Sequence, residues 1–156
     1  MEGIEVTMNS GAHSNNILYT RHLNGCIALV SRTQRNGSWV NSHGIMTHYF
    51  PSYPTQHLAR IDELLDGFRQ DVDKGTTKAV LFYPDLMTSN QILEGFQLIA
   101  GKNAVIHPIE YSLAPLDSLD YTKGILRFDP NTGRYDFDPF SDVTSRNIDE
   151  FHNFLR

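Results

Sequence analysis

Apolar residues along this chain form short runs, and the run CIALVSR has the two-residue period of a β-strand. Cys26, Ala28 and Val30 would share one face of such a strand. Ile27 and Leu29 would share the other face, so both faces are apolar. Strands that are buried on two sides have this pattern, and we therefore predict a central strand that is covered on both faces.

Further strands are predicted on either side of this run. ILYT, residues 17–20, has the composition of a strand that precedes it. The pair Asn36-Gly37 favours a tight hairpin turn, and residues 39–50 have the β-branched and aromatic content of the return strand. We expect the return strand to lie beside the strand that begins at Cys26.

Helical spacing follows in two segments. Apolar residues recur at this spacing from residue 56 to about residue 74, with Thr55 as the predicted N-cap. Residues 89–100 repeat the pattern. Short apolar strands are predicted at residues 78–83 and 103–112. Strands and helices thus alternate, which is typical of a layered α/β core.

The last part of the chain contains a second hairpin signal. Residues 126–139 form two alternating runs joined by a turn-rich segment, and residues 147–156 have the pattern of a short amphipathic helix. No repeat or linker interrupts residues 1–156. We predict one α/β domain, a layered sandwich with a central mixed β-sheet flanked by helices.

Composition and charge narrow the range of partners. The 156 residues are enough for one well-buried core, and 13 Lys and Arg against 18 Asp and Glu give a net charge of -5. Nucleic acid is therefore not an expected partner, because phosphate binding needs concentrated positive charge. No apolar run approaches the roughly 20 residues that span a bilayer, so no membrane association is expected.

The single cysteine cannot form an internal disulfide, and MEGIEVTMNS lacks the basic start and apolar core of a secretory signal. These features favour the reducing cytosol, either as the site of synthesis or as the destination of an effector delivered to a target cell.

Cys26 is the first candidate for chemistry. Most free cysteines are inert core residues, and a cysteine becomes a nucleophile only beside a base or cation. Gly25 allows a tight turn, and the backbone N–H groups of Asn24 and Gly25 are candidate oxyanion donors. His43 and His48, on the return strand, are both candidate general bases. Five residues apart on a regular strand, they would face opposite sides, so only one would reach the sulfur.

Other sites have weaker signals. His22 lies four residues before Cys26, but Gly25 argues against the continuous strand that would put both on one face. No Cys-x-x-Cys or His-x-x-x-His pattern is present, so no metal site is predicted, and the chemistry proposed for Cys26 needs no cofactor.

The segment TRHLNGCIALVSR, followed by GIMTHYFP, resembles the chemoreceptor glutamine deamidases (CheD). In that family a threonine precedes a cysteine-bearing turn, and a Gly-x-Met-x-His-like strand follows. The LNGC tetrad, which begins at Leu23, is similar to the Leu-x-Gly-Cys motif of the cytotoxic necrotizing factor and Burkholderia lethal factor toxins. The match covers residues 18–51, about a third of the chain.

The resemblance implies a role for particular residues. Cys26 would be the nucleophile, His48 the base, and Thr20 the polar group that orients the histidine. His43 falls outside the motif and is expected to be a solvated loop or strand-edge residue. The implied fold is that of the deamidase catalytic domains, and the implied partner is a protein with a reactive glutamine.

Two alternative functions remain open. One is another Cys-His amide hydrolase, such as a protease or a transglutaminase. The other is a non-catalytic binding domain in which Cys26 is a core residue. In that case the partner surface would be formed by exposed aromatic residues, for which the candidates are Tyr49, Phe50, Tyr53 and Phe140.

Overall fold

The computed structural model describes residues 2–84, 90–141 and 151–156. Within these residues the protein is a mixed α/β fold with a six-stranded sheet, a four-stranded sheet and three helices. The predicted layered α/β class is confirmed. The layers differ from the prediction in one respect, because helices cover one face of the central sheet and the second sheet covers the other.

The strands in the described residues are β1 (Ile4–Glu5), β2 (Ser10–Ser14), β3 (Leu18–Thr20), β4 (Ile27–Arg35), β5 (Ser38–Trp39), β6 (Gly44–Tyr49), β7 (Thr76–Pro84), β8 (Val105–Tyr111), β9 (Ile125–Phe128) and β10 (Tyr135–Asp138). The six-stranded sheet has the order β2-β6-β4-β7-β8, with β5 paired to β4. The four-stranded sheet has the order β1-β3-β9-β10. Each sheet is mixed, since β7 and β8 are parallel in one and β1 and β3 in the other.

Strand β4 is the centre of the larger sheet, as CIALVSR predicts. It pairs antiparallel with β6 on one side and with β7 on the other. Cys26, Ala28 and Val30 face the four-stranded sheet, and Ile27 and Leu29 face the helices. A slip of one residue would move every side chain into the wrong layer, so the two apolar faces fix the register on which the site depends.

The hairpin predicted at residues 126–139 is also confirmed. Strands β9 and β10 are antiparallel, with Tyr135 opposite Phe128. Leu126 and Phe128 are fully buried, at 0% exposure, and belong to the same core as the Cys26 face of β4. The small sheet therefore closes the layer in which the cysteine lies.

The helices are α1 (Pro54–Asp66), α2 (Arg69–Lys74) and α3 (Asn90–Ala100). The prediction of one continuous helix with Thr55 as N-cap is wrong. Tyr53 is the N-cap, with Pro54 in the first turn, and the chain leaves the helix at Phe68, which has a φ of -141°. Gly67 precedes this break, and glycine lowers helix stability by about 1 kcal/mol. Ser89, the predicted start of the helix that corresponds to α3, lies outside the described residues.

The hairpin turn at Asn36-Gly37 is confirmed, with φ angles of 51° and 81°. The continuous return strand is not. A short 3-10 helix, Asn41–His43, separates β5 from β6. This break turns His43 toward α2, where its Nε2 lies 2.7 Å from Oδ2 of Asp71.

The predicted C-terminal helix falls partly outside the described residues, which omit 142–150. Residues 151–156 form turns rather than a helix. Leu155 nevertheless packs into the core with 0% exposure, and its carbonyl accepts a hydrogen bond from Arg32. Among the helices of the described residues, none has both the length and the apolar character needed to cross a membrane.

Candidate active site

The turn that carries the cysteine lies between β3 and β4. Cys26 directly precedes β4 and is 5% exposed. Gly25 has a φ of 112°, a conformation that glycine adopts without strain. The Gly25 N–H donates to the Tyr111 hydroxyl at 2.8 Å, and this hydroxyl donates to the Cys26 carbonyl at 2.5 Å. Tyr111, at the end of β8, thus holds the backbone at both residues.

Leu23 and Asn24 attach the same turn to the body of the protein. Leu23 is fully buried, and its N–H donates to the Gly124 carbonyl at 3.0 Å. The Asn24 side chain accepts a hydrogen bond from the Ala114 N–H at 2.9 Å and donates to the Ala114 carbonyl at 3.2 Å. Each residue of LNGC therefore contributes to the position of the cysteine.

The predicted oxyanion role of Asn24 and Gly25 stays a prediction. The Asn24 N–H donates to the His22 carbonyl at 2.9 Å, and the Gly25 N–H is bonded to Tyr111. An oxyanion would have to replace these acceptors. The hydrogen bonds of this turn therefore fix the position of Cys26, and they leave neither N–H group free to bind an oxyanion.

His48 and Thr20 form the central polar contact of the site. His48 lies on β6 and Thr20 ends β3, and both are buried, at 2% and 0% exposure. The Thr20 Oγ1 lies 2.6 Å from His48 Nδ1 and donates to the Val6 carbonyl at 2.5 Å. Because the single hydroxyl proton goes to Val6, Oγ1 must accept from Nδ1–H. The structure therefore assigns the Nδ1–H tautomer to His48.

The other ring nitrogen of His48 is then the basic one. His48 Nε2 is buried and has no hydrogen-bond partner within the described part of the chain. Buried polar atoms in native proteins nearly always have partners, so this nitrogen is a candidate functional atom, although Ser31 Oγ, Arg32 Nε and Arg127 Nε share its state. Burial, together with the charge of nearby His22, lowers the pKa of His48 to about 4. The ring is thus neutral at pH 7.

Cys26 and His48 lie on the same face of the sheet. In the β4–β6 register, Ala28 is opposite His48, and Cys26 is two residues before Ala28. Such diagonal neighbours are about 7–8 Å apart along the sheet, within reach of long side chains. The two residues do not hydrogen-bond in this structure. The Cys26 Sγ instead contacts the Met8 sulfur at 3.6 Å.

The resting thiol is protonated. Burial raises the pKa of Cys26 to about 11, since desolvation disfavours the thiolate. A neutral thiol beside a neutral imidazole differs from a preformed thiolate–imidazolium pair. It fits a site in which the base removes the proton only when a substrate is bound.

A cavity of about 180 Å³ lies beside His48. Its lining includes Met8, His22 and His48. Glu5 and Arg21 also line it and form an ion pair at 3.2 Å, so the charges there are balanced. Met8 lines this cavity and also contacts the cysteine sulfur, whereas Cys26 itself does not line it. Nothing in the local sequence MEGIEVTMNS signals this placement.

The other predicted candidates lie elsewhere. His43 is not solvated, because its ring stacks on Phe68 at 3.9 Å and contacts Asp71. Tyr49 is 7% exposed and unavailable to a partner, whereas Phe50 and Tyr53 are each 45% exposed. Phe140 is half-buried and lies edge-on to Tyr121 at 6.4 Å. The predicted aromatic surface is thus only partly present.

A second buried histidine, His57, is not indicated by any motif. It lies on α1 with 1% exposure, and its Nε2 is 2.7 Å from Thr47 Oγ1. Its ring stacks on Tyr49 with 4.7 Å between centroids. Burial lowers its pKa to about 3. This pair lies on the helix side of the sheet, away from the cysteine face.

Within the described residues, no three His, Cys, Asp or Glu side chains are grouped as metal ligands would be. No family model matches the chain, and no curated protein matches it significantly. The conclusion about this site therefore depends on its own geometry.

Proposed function

We propose that this protein is a cysteine-dependent protein glutamine deamidase. The observation that carries the proposal is the Nε2 of His48, which has no partner among the residues the structure describes and belongs to a ring that is oriented by Thr20 on the same sheet face as Cys26. A base positioned in this way can take the proton of a nucleophile and return it to a leaving group. The resemblance of LNGC and GIMTH to the Cys-His glutamine deamidases adds the substrate class.

The proposed reaction has two steps. When a glutamine side chain enters, Cys26 Sγ turns from Met8 toward His48, and Nε2 accepts the thiol proton. Sγ attacks the carboxamide carbon, and ammonia leaves with the proton from His48. Water then hydrolyses the thioester, which gives glutamate and restores the thiol. The product gains a negative charge, which is enough to switch an interface of the partner protein.

Thr20 is a positioning residue in this scheme. Its hydroxyl accepts from Nδ1–H and is itself held by Val6, so the basic lone pair stays on Nε2. As Nε2 becomes protonated, the same hydroxyl stabilises the imidazolium. We place the reaction in the cytosol, where a lone thiol stays reduced.

The burial of Cys26 favours a second candidate, a non-catalytic domain in which the thiol is a core residue. Its 5% exposure and a pKa raised to about 11 are what an inert cysteine shows. Phe50 and Tyr53, whose rings lie 6.3 Å apart, would then form part of a partner surface. This candidate leaves the orphaned nitrogen of His48 without an explanation.

The test is a comparison of the protein with Cys26→Ser and His48→Gln variants in a cytosolic extract prepared in ¹⁸O-labelled water. We expect glutamines that become ¹⁸O-labelled glutamates only with the unaltered protein, because the thioester is opened by water. New peptide termini would indicate a protease, and amine incorporation a transglutaminase. No Cys26-dependent change of any of these kinds would contradict catalysis.

A further inference from the structure

Met8 is an unusual residue to find against a candidate nucleophile. It is 55% exposed, so it is not a core methionine, yet its sulfur lies 3.6 Å from Cys26 Sγ. It also lines the cavity beside His48. The Met8 side chain thus joins this cavity to the thiol, and a substrate that entered through the cavity would have to displace it.

The backbone at Met8 is fixed by its neighbour. The Asn9 N–H donates to the His48 carbonyl at 2.6 Å, and the Asn9 side-chain oxygen accepts from the Phe50 N–H at 3.0 Å. Asn9 has a φ of 61°, a conformation that asparagine tolerates better than most residues. These two hydrogen bonds attach the turn to His48 and Phe50, at the end of β6. The Met8 backbone is therefore held, while its unbranched side chain keeps its rotational freedom.

The shape of this side chain identifies what it replaces. In methionine the sulfur follows Cβ and Cγ, and in glutamine the carboxamide carbon follows the same two atoms. The Met8 sulfur therefore occupies the place of a glutamine carboxamide carbon. Its 3.6 Å distance from Cys26 Sγ is close to the roughly 3–3.5 Å separation of reacting atoms in a near-attack complex.

We infer that Met8 is a built-in pseudosubstrate, which fills the subsite for the glutamine side chain and must swing out before a substrate binds. The inference rests on the proposed deamidase function, and it adds that the Met8 side chain blocks the glutamine subsite when no substrate is bound. A thioether has no carbonyl carbon, so Cys26 cannot attack it, and Met8 shields the thiol without being consumed.

The decisive experiment is to turn the pseudosubstrate into a substrate with Met8→Gln. We expect residue 8 to become glutamate, as Sγ attacks the new carboxamide, ammonia leaves and water opens the thioester. Peptide mass spectrometry follows the conversion, with the exposed Gln56 and Gln70 as internal references that stay unchanged. The same change in Met8→Gln/Cys26→Ser protein should not occur.

A second measurement separates this inference from the function on which it rests. A chloromethyl ketone analogue of glutamine labels a cysteine that has both an activating base and a glutamine subsite. We expect Met8→Ala to be labelled at Cys26 roughly tenfold faster than the unaltered protein, because the competing side chain is gone. Met8→Leu, which keeps the bulk, should remain slow.

If residue 8 stays an amide in Met8→Gln while Cys26 is labelled at equal rates with and without Met8, the pseudosubstrate inference is wrong and the deamidase proposal stands. If residue 8 stays an amide and the native cysteine is not labelled in any variant, both fall. Circular dichroism confirms that each variant is folded, and the exposure of Met8 makes that the expected result.

Discussion

Strand β6 contributes one residue to each of two histidine–threonine pairs, His48 on one face and Thr47 on the other. On one face His48 bonds Thr20 at 2.6 Å, and on the other His57 bonds Thr47 at 2.7 Å. Burial lowers the pKa of both histidines, to about 4 and about 3. The hydrogen bond and the pKa therefore do not distinguish a base from a packing residue.

The surroundings make that distinction. The ring of His57 lies flat against Tyr49 on the helix side of the sheet. His48 has an Nε2 without a partner among the described residues, a thiol on the same face and a cavity that it lines. A buried histidine is a candidate base when one ring nitrogen has no hydrogen bond and when a nucleophile and a cavity for substrate both lie close to that nitrogen.

The largest expected effect on the rate comes from replacing each of the two histidines in turn. His48→Gln should lower the rate of Cys26-dependent deamidation by about 10²–10⁴-fold, because it removes the general base. His57→Gln is the matched control and should stay within about twofold of the unaltered rate per folded molecule. An equal loss in both variants would remove the distinction between the two faces.

The threonines should differ in the same direction but by less. Thr20→Val should lower the rate about tenfold, since the lost hydrogen bond to Nδ1 contributes roughly 1.4 kcal/mol to orienting the base. Thr20→Ser keeps the hydroxyl and should restore most of the rate. Thr47→Val should lower the free energy of unfolding by about 1 kcal/mol and leave the rate unchanged. Steady-state rates and urea unfolding separate the two effects.

A smaller effect is expected at the turn. Tyr111→Phe removes the hydroxyl that bonds Gly25 and Cys26, and should lower the rate about threefold and the free energy of unfolding by about 1–2 kcal/mol. Labelling of Cys26 by the glutamine chloromethyl ketone should slow in parallel. An unchanged labelling rate would show that the turn does not depend on Tyr111.

The smallest expected effect is that of pH on the rate per folded molecule. An ordinary histidine base loses activity below about pH 6.5. His48, with its pKa lowered to about 4, stays neutral, so the rate should be flat between pH 7 and pH 5 and fall near pH 4. A midpoint near pH 6.5 would contradict this assignment.

Stability should respond to the same range of pH. The unfolded chain binds protons to both histidines as pH falls through about 6.5, whereas the folded protein does so only near their lowered pKa values. The free energy of unfolding should therefore decrease from about pH 6.5 to pH 4. His57→Gln should weaken this decrease, which urea unfolding at several pH values measures.

Much of the frame of the site could be predicted from local pattern. The two-residue period placed Cys26 on one face of a central strand, and the Asn36-Gly37 turn made the strand that carries His48 its neighbour. Both follow from short-range physics, since strand periodicity and turn geometry depend on adjacent residues. The helical pattern of residues 56–74 is also local, but it gave a wrong prediction because its apolar spacing continues through the break at Phe68.

The remaining features depend on contacts between distant parts of the chain. Tyr111 reaches the cysteine turn from 85 positions away, and Met8 reaches the sulfur from 18 positions away. The burial that raises the pKa of Cys26 arises from the packing of the second sheet, which no local pattern records. The 3-10 helix before β6 also means that His43 and His48 are not on one regular strand, so the prediction that they face opposite sides of it does not apply.

The most direct test of the central claim is labelling of native Cys26 by the glutamine chloromethyl ketone in the unaltered, His48→Gln and His57→Gln proteins. It needs no knowledge of the partner protein, because the reagent supplies the glutamine shape and an electrophile. We expect labelling of the folded protein that slows at least tenfold in His48→Gln and is unchanged in His57→Gln. Labelling only after unfolding would mean that Cys26 is a core residue, and labelling of the folded protein at equal rates in all three would mean that His48 is not its base.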